Sequence, residues 1–374
     1  MKSIALGLCS AVLALAPVSA LADGTTFTFQ SVVSPGDPAF TQLLGINDSG
    51  TIAGYFGDGT SIPNNGFTLT LPSTFTPENF PGSAQTQVVG INGSGETVGF
   101  WIDKGGIQHG FTKIGGTFTS VDNPSTTTVT QLLGVNNAGT AAGYWTDAAG
   151  NFHPFTWVPG TFTAVPVPGL VSAQATDVNN AGLVIGFNLT SATTSEGFLD
   201  RAGIFTFLQF PGSTFTQALG LNNGGEIVGF FTDAAGNNHG FLYNIVAGTY
   251  QQIDDPNAVG PGGTVINGIN DNGQLAGFFT DANNNTIGMV ATATTPEPAS
   301  LLLLGTGLLG LGAIRRRVTQ QPPRQRSRTQ KSSPLQGEAA PQPPFPFCSG
   351  RPSRRLCLRS CSGRSGRLFF SSLL

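Results

Sequence analysis

Between residues 23 and 295 short apolar stretches alternate with clusters of Gly, Asn, Asp and Pro at close, regular spacing. Such punctuation every 8 to 12 residues or so predicts short antiparallel strands joined by tight turns. The pattern repeats. A Gly-(Ile/Val/Leu)-Asn step, a polar turn ending in Gly and an apolar run closing on Gly-Phe or Gly-Tyr begin at Gly45, Gly90, Gly134, Asp177, Gly220 and Gly268, the fourth copy carrying Asp where the others carry Gly. The intervals are 45, 44, 43, 43 and 48 residues. A period of that length built from β segments belongs to propeller blades or to a β-solenoid.

Four segments fill each period. The first resembles Thr41–Asn47, and an Asn-x-x-Gly turn follows, as at Asn137-Ala138-Gly139. Gly at its end suits a positive φ, and Asn bonds its own neighbouring backbone. The second is typified by Glu226–Phe231, the third by His239–Tyr243 after an Asp-x-x-Gly turn, and the fourth by Thr117–Val121. Ahead of the first copy, Thr26–Val33 looks like a fourth segment without its first three; after the sixth, Ile287–Val290 looks like a third without a fourth. The leading strand can therefore complete the last unit and leave no open edge. The expectation is an all-β, six-bladed β-propeller of four-stranded antiparallel blades over 23–295. The alternative, an open β-repeat array, would want polar caps at both ends.

Composition narrows the function. Phe, at 28, far exceeds Tyr at 4 and Trp at 3, which predicts a Phe-rich β core. Residues 23–295 hold 18 acidic and 3 basic side chains, a net charge of −15, which repels phosphate backbones and anionic membranes. Cys9, Cys348, Cys357 and Cys361 all lie outside the repeats, so no disulfide framework or thiolate metal site is expected there.

Both ends carry address signals. Lys2, the apolar run Ile4–Ala16 and the small residues to Ala22 read as a secretory signal peptide over residues 1–22, the run being too short for a spanning helix. Toward the other end stand Pro296-Glu297-Pro298, a Leu/Gly/Ala segment over 299–314 expected to form an apolar transmembrane helix with its flanks, and Arg315-Arg316-Arg317. By the positive-inside rule the arginines place that end in the cytoplasm. This order of parts, over residues 296–317, resembles the PEP-CTERM sorting signal. The resemblance implies a Gram-negative host, recognition by an exosortase in the inner membrane, cleavage near Pro296-Glu297-Pro298, and delivery to the cell surface or an exopolysaccharide matrix, with the membrane occupied only transiently. Residues 318–374, rich in Arg, Pro, Ser and Gln, lack an apolar period and are expected to be disordered. They read more as a translated read-through segment than as a basic interaction tail.

The repeat itself resembles the HAF repeat of bacterial extracellular proteins, in which a Gly-Ile-Asn turn precedes His-Ala-Phe. Here that segment is His109-Gly110-Phe111, His153-Pro154-Phe155 and His239-Gly240-Phe241. Each of these histidines, the only three in the chain, follows an Asp by six residues: Asp103, Asp147 and Asp233. Equivalent places on separate units are held apart, so these read as strand residues securing the preceding turn and not as metal ligands. The Asp-x-x-Gly-Asn turns lack the alternating oxygens of a calcium loop and read as turn caps.

The stronger functional lead is Gln42, Gln87, Gln131, Gln174 and Gln217 at the start of the first strand, a set that Val265 breaks. If that strand is innermost, the amides ring one mouth of a central channel and offer donors and acceptors to a hydroxyl-rich ligand. The competing role is to tie one blade to the next. No nucleophile motif or paired carboxylates suggest catalysis, Asp254-Asp255 being the only adjacent acids of the repeats. The expected function is a non-catalytic binding or structural protein needing no cofactor or metal, its partners an exosortase and then exopolysaccharide or surface proteins. A glycan-active enzyme on the same scaffold is the alternative.

Overall fold

In a computed structural model of the chain, the structure describes residues 24–294 except Leu170 and Ala192. The signal segment 1–22, the sorting residues Pro296, Glu297, Pro298, Arg315, Arg316 and Arg317, the apolar segment 299–314 and the tail 318–374 lie outside the described residues.

The described chain contains no helix and 24 strands. A leading strand, β1 (Thr26–Val32), precedes β2 (Thr41–Ile46), β3 (Thr51–Phe56), β4 (Asn65–Thr70) and β5 (Thr74–Pro77). Then come β6 (Gln85–Ile91), β7 (Thr97–Ile102), β8 (Gln108–Ile114) and β9 (Thr117–Val121). The third group is β10 (Thr130–Val135), β11 (Ala141–Thr146), β12 (Phe152–Val158) and β13 (Thr161–Ala164). The fourth is β14 (Ala173–Val178), β15 (Val184–Leu189), β16 (Ser195–Arg201) and β17 (Ile204–Leu208). The fifth is β18 (Phe215–Leu221), β19 (Glu226–Thr232), β20 (Asn238–Asn244) and β21 (Thr249–Ile253), and the last strands are β22 (Thr264–Ile269), β23 (Leu275–Thr280) and β24 (Thr286–Thr294).

Each group is an antiparallel meander in chain order, the fourth and fifth being joined by a single parallel pairing of Ser195 with Phe215. The final sheet runs β1-β24-β23-β22. Its outer edge is supplied by the start of the chain: Thr26 pairs with Thr294 and the register continues to Val32 opposite Gly288. The expected sealing strand is therefore in place, beside the last unit. The first strands of the groups, β2, β6, β10, β14, β18 and β22, each contact the next, and β22 contacts β2, which closes the circle.

Packing explains the Phe bias. Phe67, Phe111, Phe155, Phe198 and Phe241 occupy one position of the third strand and are almost wholly buried, with Met289 in the sixth place. Each faces a glycine of the second strand: Gly54, Gly99, Gly143, Gly186, Gly229 and Gly277. A Cβ on any of these would collide with the carbonyl of the residue at the Gln level of the first strand, so only glycine lets the meander lie flat there. A fourth-strand aromatic covers each of the five Phe, edge-on for Phe67–Phe75 at 4.9 Å and Phe155–Phe162 at 5.0 Å between centroids. The apolar clusters span neighbouring groups; Val32, Ala276 and Val290 of the last sheet pack with Leu43, Ile52 and Phe67 of the first. Burial between units is what holds the ring.

Candidate functional site: the axial cavity

The six first strands have a shared defect that shapes the centre. In each, the pairing with the second strand slips after Leu43, Val88, Leu132, Ala175, Ala218 and Ile266. A bulge twists the strand and re-aims its side chains. The following glycines then abut the neighbouring strand: a Cβ on Gly45 would lie 2.8 Å from the Val89 carbonyl oxygen, and one on Gly90 2.9 Å from that of Leu133. The strands surround a cavity of about 590 Å³ whose walls run from the Gln level to the Asn-x-x-Gly turns.

At the turn end six asparagines perform one task. Asn47 Oδ1 accepts from the Ser49 and Thr51 amides at 3.1 and 3.0 Å, which caps its own turn, while Asn47 Nδ2 donates to the Asn92 carbonyl at 3.1 Å. Asn92 donates to Asn136 at 2.9 Å, Asn136 to Asn179 at 3.1 Å and Asn179 to Asn222 at 3.2 Å. Asn222 donates to Asn270 at 3.2 Å, and Asn270 returns to Asn47 at 3.0 Å. The ring is complete. The residue must accept locally and donate across, and at this length only the carboxamide of Asn does both. A second, outer row of bonds runs from the amide of the following residue to the next unit's side-chain Oδ1, as in Asn137 to Asn180 at 2.8 Å and Asp271 to Asp48 at 2.8 Å, and it is open at the step from Asp48 to Gly93, which has no side chain to accept.

At the other end Gln42, Gln87, Gln131, Gln174 and Gln217 all line the cavity, as the sequence reading placed them. Their environments differ. Gln42 Oε1 accepts from the Tyr55 hydroxyl at 2.8 Å within its own unit. Gln87 Nε2 donates to Asn64 Oδ1 of the preceding unit at 2.8 Å, and Gln131 donates back to Gln108 in the same sense. Those two do tie unit to unit. Gln174 and Gln217 have no hydrogen-bond partner among the described residues, and their amides open onto the cavity. A Thr precedes four of these Gln and also Val265, Ala173 taking its place before Gln174, and it is a structural residue: buried Thr41, Thr86, Thr130, Thr216 and Thr264 accept a loop amide, at 2.9 Å for Ser34 onto Thr41.

Asp177, on the wall between the two ends, gained no role from sequence reasoning, although its departure from Gly in the repeat was the available signal. Its Oδ1 accepts from the Val178 amide at 2.8 Å and its Oδ2 from the Leu221 amide of the next unit at 2.9 Å. Burial pushes its carboxyl up to about 7 against the pull of those two amides. The cavity wall holds three charged side chains, Asp48, Asp177 and Asp271, and no Lys, Arg or His.

The histidines sit away from this cavity. His153 Nε2 meets Asp147 Oδ2 at 2.9 Å and His239 Nε2 meets Asp233 Oδ2 at 3.3 Å, so each ties to the turn six residues back. His109 leans mainly on Asp122, at 2.7 Å, with Asp103 at 3.7 Å, and His239 also meets Asp254 at 2.9 Å. Burial opposes charging of His239, but Asp254 and Asp233 outweigh it and raise its pKa. Trp101 and Trp145 stack on His109 and His153 at 4.4 and 4.2 Å. The turn aspartates accept backbone amides, Asp233 from Ala235 and Asn237 at 2.8 Å each, and chiefly the Asn237 amide lowers its pKa to about 2. Tyr55 lines the cavity, whereas Phe231 and Phe279 are core residues.

Residues 294–317 match the PEP-CTERM protein-sorting motif. That motif is a substrate signal for exosortase and marks an exported, membrane-processed protein of a Gram-negative bacterium. No curated protein gives a sequence match to the chain. Among solved structures, a TolB structure from Agrobacterium tumefaciens is similar at a TM-score of 0.49 and 12% identity, covering 70% of this chain and 92% of that one. An Aleuria aurantia lectin variant in complex with Fucalpha1-6GlcNAc is similar at 0.42 and 12%, with 70% and 98% covered. The β-propeller domain of the Trilobed protease from Pyrococcus furiosus, with an open velcro topology, is similar at 0.38 and 8%, with 69% and 99% covered. The architecture of this chain rests on its own strand pairing and asparagine ring.

Proposed function

We propose that the chain is a six-bladed β-propeller with HAF-type repeats that, once processed, serves as a non-catalytic binding protein at the cell surface or in an exopolysaccharide matrix. Its ligand is a hydroxyl-rich polysaccharide or a surface protein, taken at the mouth that the glutamines frame. The observation that carries this reading is the pair of unengaged amides, Gln174 and Gln217, on the wall of a cavity of about 590 Å³. Neither is used to hold the fold, and a carboxamide can donate to one hydroxyl while accepting from another. Pockets with a few such groups on a mainly apolar wall are the usual form of small-ligand sites.

A glycan array probed with the purified protein, alongside an assay for released sugar, tests the reading. Binding without product, lost in Gln174→Ala plus Gln217→Ala, is the expected result. Product formation would move the protein to the glycan-active enzyme class, and no binding with no product would leave a structural matrix component.

A further inference from the structure

Resting on that reading of the cavity, we infer that its ligand carries a primary ammonium group, which is held by Asp177 while Gln174 and Gln217 take the neighbouring hydroxyls. The two open amides and the one Asp that replaces the repeated Gly fall on neighbouring strands. Gln174 and Asp177 stand on β14 and Gln217 on β18, and the Asp177 carboxylate already spans those two strands by accepting from the Leu221 amide of β18 at 2.9 Å. Gln174 and Asp177 are three residues apart, so the polar groups spread over roughly 10 Å of wall, which suits an extended molecule and not a lone ion.

The charge of the wall selects the ligand's sign. Its charged groups are all carboxylates, and nothing basic lines the cavity to neutralise them. Each Asp177 oxygen is engaged by one backbone amide and keeps a further acceptor position. Asn267, at the bulge position of β22, adds a buried Oδ1 with no donor, a second acceptor on the same cavity wall. A wall with spare carboxylate acceptors and no cationic side chain is complementary to –NH₃⁺.

Titration strengthens the geometric argument. Burial pushes the Asp177 carboxyl up to about 7, so its pairing with a charged ammonium displaces the proton it holds below that pH. The strands packed against β14 are β10, β11, β12, β15 and β18. Their titratable side chains are Tyr144 of β11 and His153 of β12, and the latter is turned to Asp147.

The test is calorimetric titration of the full chain with a glucosamine oligomer and with its N-acetylated counterpart, repeated in buffers of different ionisation enthalpy. The amine form should bind at least about tenfold more tightly and, below neutral pH where its own nitrogen is already protonated, release a proton from Asp177. Asp177→Asn and Asp177→Gly, the latter restoring the residue of the other five copies, should erase both the preference and the release while melting cooperatively. A lysine-bearing peptide that binds with the same dependence on Asp177 would assign the ammonium to a protein partner. Equal binding of the two oligomers overturns the ammonium and leaves the cavity reading standing. A preference that survives both Asp177 variants also overturns it. If neither oligomer nor the peptide binds, the ammonium assignment falls, and the glycan array decides the cavity reading separately.

Discussion

The two ends of the same six strands teach different lessons. At the turn end, Asn47, Asn92, Asn136, Asn179, Asn222 and Asn270 make one closed circuit of identical hydrogen bonds. At the mouth, five glutamines and Val265 occupy equivalent places but do four different things: bond a tyrosine, bond the preceding unit, stay open, or pack as an aliphatic. Uniformity marks what holds the ring. Divergence marks side chains that the ring does not need.

Breaking the closure should have the largest effect. Removing Thr26–Val32 exposes the edge of β24 and takes Val32 out of the core cluster shared with Leu43 and Phe67. A truncated chain should lose its cooperative melt and self-associate through the bare edge, as read by calorimetry and gel filtration. Next comes the asparagine circuit itself. Asn136→Asp keeps the turn cap but removes the donor to the buried Asn179 carbonyl and sets a carboxylate against it. A cost of about 1–3 kcal/mol in urea unfolding is expected. An unchanged midpoint would show that the circuit decorates a ring held entirely by its apolar seams.

The wall between the two ends gives an effect of pH. The folded Asp177 carboxyl titrates near 7 against an ordinary value of 3.8, so the folded state prefers the protonated form. Its contribution is full below about pH 4 and is lost as pH rises through 7. Because the carboxyl opens onto the cavity, where water tempers the burial, stability should fall by roughly 1–2 kcal/mol from pH 5 to pH 8. Asp177→Asn should flatten that slope in parallel unfolding curves. The smallest effects lie at the mouth. Gln87→Ala loses the bond to Asn64 and should cost about 1 kcal/mol, whereas Gln174→Ala and Gln217→Ala should stay within about 0.5 kcal/mol of the parent. Equal losses at all three would erase the distinction between open and structural glutamines.

Most of the backbone was legible because the signals are local. A turn such as Asn137-Ala138-Gly139 announces itself through one Asn side chain and one residue at positive φ, and both sit within four residues. The fourth strand at Thr117–Val121 falls where its alternation placed it, and the incomplete ends of the array pointed to the pairing of β1 with β24. The site was legible only as a set of positions. Which glutamines are free depends on Asn64 and Gln108, loop and third-strand residues of the preceding unit 23 positions earlier. The cross-unit donation by each Asn was hidden for the same reason, since a one-dimensional pattern shows a cap but not its spare proton. Asp177 was visible as an exception, yet its carboxyl acquires meaning only when Leu221, 44 residues on, arrives beside it.

The seam between the first and last strands also sets an order of events. Thr26 and Thr294, 268 residues apart, share a hydrogen bond at 2.9 Å, and the stretch matching the sorting signal begins at Thr294 itself. A ribosome makes β1 first and β24 last, so the earliest strand stays without its neighbour until nearly the whole barrel of repeats has been synthesised. The clasp and the address label therefore meet at one point. Any pull exerted through the residues that follow Thr294 reaches the folded body at its lock, and a protease cutting just beyond that point would release a ring already fastened.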